Sequence, residues 1–271
     1  MMAMRTRFTS ALGMVVSIFL GLTAPAGAEP SILPEQVFAE YSGSVLFLKV
    51  ANISLSAGFD DETYSAAAAF QSAGLLSWFD DTDIKATVSG YRTGSGLGPH
   101  RYEHTNFAND KGRVVGINFP AGTAVPHINP PFGSMGEPPA SDAERAGALD
   151  PISALLGLMM SLPVDESGVC RGRIPVFDGK ARYDLRLHNA GLDDVRTRGW
   201  RGEAIRCQAY VEPVSGYDEG DRPSEDDTAR PVTIWLAQIG EMYIPVRFRA
   251  QTRLGSINVR ARRVYAGAAL Q

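Results

Sequence analysis

His100-Arg101-Tyr102-Glu103-His104 spells H-x-x-E-H, a string in which two histidines can hold zinc while a glutamate moves protons. That chemistry needs a helix, where residues four apart share a face. Gly98-Pro99 precede the string and the alternation after it reads as extended chain, so a strand is expected here. On a strand the two histidines would stand roughly 13 Å apart, too far to share a metal whose bonds are near 2 Å. Asp80, Asp81 and Asp83 lack the spaced ligands and closing glutamate of an EF-hand loop and read as a turn. Gly94, Gly96 and Gly98 look like a phosphate cradle, but no helix is expected to start there and receive an anion. His127, among prolines, reads as a lone exposed histidine. No G-x-S-x-G elbow, H-E-x-x-H or P-loop occurs, and no nucleophile stands beside an identifiable base. The expectation is a non-enzymatic chain with neither metal nor cofactor.

Cys170 and Cys207 are the two cysteines. Arg5 and Arg7, the apolar run Ala11 to Leu22 and the A-x-A site Ala26-Gly27-Ala28 read as a secretory leader cleaved after Ala28. Residues 29–271 are then expected in the periplasm as a single β-rich domain. A disulfide between the cysteines is the default in an oxidising compartment, and the redox alternative lacks a C-x-x-C.

The elements that must position these residues are mostly strands. Ile53, Leu55, Ala57 and Phe59 alternate with small polar residues, and Tyr64, Ala66, Ala68 and Phe70 repeat the pattern. Ile84 to Tyr91, Tyr102 to Phe107 and Val114 to Phe119 continue the meander, with a short helical turn expected over Gly74 to Asp81. Six prolines between Pro120 and Leu149 mark a long lid or linker, 120–149, that should form no regular ladder. Asp150 is a good N-cap, Pro151 suits a first helical position and Pro163 ends the helix, expected over 151–161. Ile152, Leu155, Leu156 and Met159 cover one side and Leu158, Met160 and Leu162 the other, so the helix is buried all round. At roughly 16 Å it is too short to cross a bilayer. Asp178-Gly179 signals a type I′ hairpin. Strands then follow at Ala181 to His188, Ile205 to Glu212, Val232 to Ile239, Ile244 to Thr252 and Ser256 to Val264, with an acidic loop at 218–227.

The formal net charge is −4, which argues against nucleic acid as a partner. Yet Arg182, Arg186, Arg206, Arg247, Arg249, Arg260 and Arg262 all fall on the polar face of expected strands. They are either a solvated face balanced by cross-strand acids or a basic surface that meets anionic headgroups or an acidic partner.

Asp150-Pro151, Leu162-Pro163, Cys170, Val176-Phe177-Asp178-Gly179, Tyr183-Asp184-Leu185 and Cys207, in that order, resemble an uncharacterised exported proteobacterial family, domain of unknown function 3108. Gly98-Pro99 to Tyr102 and Pro213 to Gly216-Tyr217 fit the same pattern. The resemblance covers nearly the whole mature chain, and its motifs are structural, so it implies no active site. The architecture is also similar to the periplasmic lipoprotein-carrier fold, which implies an open antiparallel barrel or spiral sheet around one short buried apolar helix. On that likeness Leu155, Leu158, Met159, Met160, Ile244, Val246 and Phe248 would line an apolar cavity for a lipid, a lipoprotein or another apolar envelope component. The alternative is a solid-cored module that binds an envelope protein through its basic face.

Overall fold

The computed structural model describes residues 34–46, 48–74, 82–93, 96–107, 112–160, 168–252 and 255–268. The expected leader, most of the turn at 74–81 and the helix stop at Pro163 lie outside them. Seven strands come first: β1 (Gln36–Val45), β2 (Leu48–Phe59), β3 (Thr63–Ser72), β4 (Asp83–Thr93), β5 (Gly96–Asn106), β6 (Val114–Asn118) and β7 (Val125–Asn129). Two helices follow, α1 (Asp142–Arg145) and α2 (Pro151–Met159). Then come β8 (Gly172–Phe177), β9 (Arg182–Arg196), β10 (Arg201–Ser215), the short α3 (Glu225–Thr228), β11 (Val232–Ile239), β12 (Met242–Thr252) and β13 (Gly255–Gly267).

Short turns join consecutive strands, and short turns permit only antiparallel pairing. The result is one sheet in the order β7-β6-β5-β4-β3-β2-β1-β13-β12-β11-β10-β9-β8. Two meanders therefore meet where β13 pairs with β1, and β7 and β8 are left as edges. The fold is mainly β, an antiparallel sheet that does not close on itself, in keeping with an open barrel or spiral.

Period-two alternation decides which face is buried. Val37, Ala39 and Tyr41 of β1 go inward, as do Leu55, Ala57 and Phe59 of β2 and Tyr64 and Ala66 of β3. Gly90 in β4 has a packing reason: a Cβ there would lie 2.7 Å from the Tyr64 ring and 2.5 Å from the Gly98 carbonyl. His100 and His104 both lie on β5, so the H-x-x-E-H string is strand, and the His104 ring sits 3.2 Å from the Tyr102 hydroxyl.

The proline-rich segment corrects one expectation, because β7 forms a ladder with β6 inside it. Pro126 is tolerated there since an edge strand needs backbone donors on one side only. Beyond β7 the segment crosses from one sheet edge to the other. Thr123 bridges Ala146, and Leu149 bridges Val176 in parallel on the free edge of β8. The Leu149 amide donates to Pro175 and the Phe177 amide to Leu149. Midway, the Glu137 amide donates to the Tyr217 carbonyl and the Gly216 amide to Pro138. A capping box on Ser141 and Glu144 starts α1. The segment is a strap fastened to both edges, which protects β8 from stray pairing.

A second correction concerns Asp178-Gly179. The connection runs over four residues, closed by the Asp178 carboxylate accepting from the amides of Lys180 and Ala181. An Asx turn replaces the two-residue type I′ turn.

Helix α2 begins as its sequence implies, with the Asp150 carboxylate accepting from the amides of Ile152 and Ser153. Ile152, Leu156 and Met159 share a core with the N-terminal strands and with Phe177, Met242 and Ile244. Ala154 and Leu158 pack in a second core with Cys170, Val176, Leu187, Cys207 and Leu236. One helix thus serves two cores from opposite sides, which explains its lack of a polar face. The Cys170–Cys207 disulfide is formed, with Cα atoms 5.6 Å apart, and ties the segment after α2 to β10.

Candidate functional site

Four of the seven apolar candidates have little or no surface left to line a space. A side chain lining a space wide enough for a hydrocarbon chain keeps surface that a water molecule could touch. Met159, Ile244 and Val246 have none, and Leu158 keeps only 7%. Leu155 and Met160 are half-buried against the first core, and Phe248 packs edge-on to Tyr41, ring centres 5.8 Å apart. These residues divide among three cores and interlock there. Reading Met-rich, all-apolar sequence as cavity lining confuses two outcomes that hydrophobicity alone does not separate.

The seven arginines also divide. Arg182 is a correction: the strap covers it and it is buried, its Nε donating to the Glu144 carbonyl and its Nη1 to Asp184. Arg186 donates to Glu212 and stacks 4.4 Å from the Tyr210 ring. Arg206 pairs with Asp193. These three are balanced by carboxylates on β9 and β10, as the plainer of the two readings expects. Among the described residues no carboxylate stands within ion-pair distance of Arg247, Arg249, Arg260 or Arg262.

Register places three of these four on one face. Trp235, Arg247, Arg260, Ser42, Asn52 and Gln71 stand opposite one another in a row across β11, β12, β13, β1, β2 and β3. Two residues along, Thr233, Arg249, Asn258, Ser44 and Lys49 make a second row. Two guanidinium groups directly opposed across antiparallel strands, Arg247 and Arg260, destabilise the pair. Arg247 bears the cost most plainly. Burial, then Arg260 and Arg249, hold its pKa below the ordinary guanidinium value, with Asp193 opposing, and its Nε is buried without a hydrogen-bond partner. It remains cationic and lies 4.6 Å from the centre of the Trp235 ring, whose Nε1 donates to Asp193.

Arg262 stands at a bulge in β13 and lines a groove of about 400 Å³ with Lys49, Asn52, Ser54 and Gln71. Glu40 at its rim is engaged by Arg263 at 3.6 Å. Two cations flanking amide and hydroxyl groups can receive one anionic group and hydrogen-bond its neighbours. Arginine placement alone missed Lys49, Asn52 and Gln71. A signal was present: between Tyr41 and Phe59, and between Met242 and Ala268, there is no aspartate or glutamate, against one lysine and six arginines. The β1–β13 pairing lays these two acid-free stretches side by side.

A second polar cluster sits at the head of α2. Ser153 Oγ donates to the Asp150 carboxylate, and the Tyr64 hydroxyl lies 2.7 Å from Ser153 Oγ. A serine beside a carboxylate resembles an activated nucleophile, but neither Asp150 nor Ser153 has any accessible surface for a substrate to reach. The cluster anchors α2 to β3. Burial holds the Asp150 carboxyl above its usual range, against the opposing hydrogen bonds from Ser153 and Ile152. A carboxyl harder to ionise in the fold than in the unfolded chain stabilises most at acid pH, and that contribution fades as pH rises from about 4 through the raised value. Asp150→Asn keeps an oxygen for the two amides and removes the ionisation. Its melting temperature should vary less with pH than the wild type's over that window, with stability at neutral pH within about 1 kcal/mol of wild type. Parallel curves for the two proteins would show that Asp150 ionises without penalty.

Residues 39–262 match the model of a family described as "Protein of unknown function (DUF3108)". The chain belongs to that family. The family description assigns no activity, so the site rests on this chain's own geometry. No curated protein matches it. Among solved structures it is similar to the "Beta-barrel-like Protein of Domain of Unknown Function DUF1849" from Brucella abortus, at 9% identity and a TM-score of 0.51, over 87% of this chain and 98% of that one. At that identity the likeness speaks for the fold alone. Among the described residues no helix is long and apolar enough to cross a membrane.

Proposed function

We propose that this family member is a non-enzymatic binding module of the periplasm, solid in its core, whose working surface is the cationic face of β1, β2, β12 and β13, where the one carboxylate, Glu40, is engaged by Arg263. Its ligand is an anionic component of the cell envelope. One observation carries the reading: Arg247 and Arg260 are opposed in register, and no described carboxylate neutralises Arg249, Arg260 or Arg262, in a chain of net charge −4. Surface cations usually meet acids across a strand pair, as Arg186 meets Glu212 here. A row without them stores electrostatic repulsion that an anionic ligand relieves. The polar residues between the cations, Asn52, Asn258, Ser42 and Ser44, supply hydrogen bonds to the same ligand. The burial of Leu158, Met159, Ile244 and Val246 speaks against carriage of an acyl chain along α2.

The test is retention on a sulfopropyl surface at low ionic strength, where a protein of net negative charge stays only if its cations are concentrated. The wild type should be retained and elute with salt, since screening over about 10 Å at 0.1 M weakens such contacts. Arg249→Glu combined with Arg260→Glu should flow through with a melting temperature no lower than the wild type's, because both side chains are exposed and the change relieves the opposition of Arg260 to Arg247. A double variant that elutes at the wild-type salt concentration would sink the reading.

A further inference from the structure

The same face ends in an apolar tip, and we infer that this tip inserts into the surface of a bilayer bearing anionic headgroups. The inference rests on the cationic face being a binding surface and specifies what it binds. At the turn between β1 and β2, Leu46 is 63% exposed and Leu48 44% exposed. Leu46 is also held at φ 55°, the left-handed region that a bulky L-residue seldom occupies and that glycine or asparagine adopts easily. A large apolar residue placed in a strained backbone conformation and turned toward water does little for the fold. Its amide donates to the Ser256 carbonyl, and its side chain rests beside Gly255, so the tip is braced by the end of the β12–β13 hairpin.

The cations stand at graded distances behind this tip. Ser44, Lys49, Asn258 and Arg249 form the nearer row and Ser42, Arg260 and Arg247 the farther one. At about 3.3 Å per residue the rows lie roughly 7 Å and 13 Å behind Leu46. Side chains that enter a bilayer interface bury about 5–10 Å into the headgroup and acyl boundary. With the leucines at that depth, the nearer row reaches the phosphates and the farther row stays within the attractive field of the anionic surface. A protein partner fits less well. A protein would have to supply an apolar pocket and a row of carboxylates in one fixed register with the leucines and the cations. A bilayer needs only exposed apolar groups flanked by cations.

The full chain is tested by co-sedimentation with phosphatidylcholine vesicles, with and without phosphatidylglycerol. The wild type should sediment with the anionic vesicles and stay in solution with the neutral ones. Leu46→Asn with Leu48→Ser keeps a residue suited to the left-handed position, so the fold should persist and sulfopropyl retention should match wild type. Its affinity for anionic vesicles should fall roughly ten-fold, the effect of losing modest apolar burial from two side chains. Arg249→Glu with Arg260→Glu should abolish sedimentation. If the leucine variant binds anionic vesicles as tightly as wild type, insertion is overturned while the cationic face stands. If the wild type is retained on the sulfopropyl surface yet ignores anionic vesicles, the inference also falls and the face belongs to an anionic polymer or protein. A wild type that binds neither removes the underlying reading as well.

Discussion

Replacing Cys170 and Cys207 together with alanine is expected to lower the stability of the fold by about 4 kcal/mol, the chain-entropy value for a loop of this length. The bond joins residues 37 apart in sequence and closes α2's downstream segment onto β10. Both sulfurs lie in the core that also holds Leu158, Val176 and Leu236, and Cys207 has no accessible surface. Breaking the bond therefore frees the unfolded chain and also loosens the wall against which α2 packs. Urea unfolding, with and without a reducing agent, should show the midpoint of the wild type falling on reduction toward that of the double variant. A loss below about 1 kcal/mol would mean that the second core holds the segment without its covalent link.

Leu156→Ala is expected to cost about 3–4 kcal/mol, within the range for a fully buried leucine whose surroundings cannot collapse. Leu156 has no accessible surface and lies in the core shared by Ile152, Met159, Phe177, Met242 and Ile244. The measurement separates plug from lid. A helix sealing a hollow could shift into the vacated space and lose only about 2 kcal/mol, the transfer value of the three deleted carbons. A helix wedged between two cores has no such freedom, because moving toward one opens a gap against the other. Chemical denaturation at neutral pH decides between them. A loss of about 2 kcal/mol or less would return the interior to consideration as a binding space.

The two outcomes bear differently on function. A costly Leu156→Ala places binding on the surface, where Arg247, Arg249, Arg260 and Lys49 gather. The scarcity of acids in both hairpins carries weight beyond any single arginine there. An isolated surface cation is ordinary, but two paired hairpins with a single carboxylate, Glu40, between them create a field that ion pairs elsewhere on this chain cancel.

Much of the fold was legible because it rests on local rules. Alternation in β2, β3 and β9 to β13 announced strands. Asp150-Pro151 announced the start of α2, since an N-cap carboxylate and a first-turn proline serve needs that arise within one helical turn. The strap was read less well. Its prolines announced a break in regular structure, yet a proline on an edge strand breaks nothing, and Pro126 sits within β7. Arg182 was misplaced for a related reason. Its position in the alternation is polar, and only the return of the strap over β9 buries it.

By itself the chain determined that it would be an antiparallel β protein around one all-apolar helix, with two cysteines near enough to the same core to join. Those properties follow from residue periodicity, capping and composition, which act over a few residues at a time. Tertiary structure alone decided that the helix is wedged between two cores, that the proline-rich stretch straps the sheet edges together, and that four of the seven arginines have no carboxylate within ion-pair distance among the described residues. The reason is the same in each case. Whether a side chain is covered, opposed or exposed depends on strands paired across the whole chain, and the β1–β13 ladder joins residues some 200 positions apart.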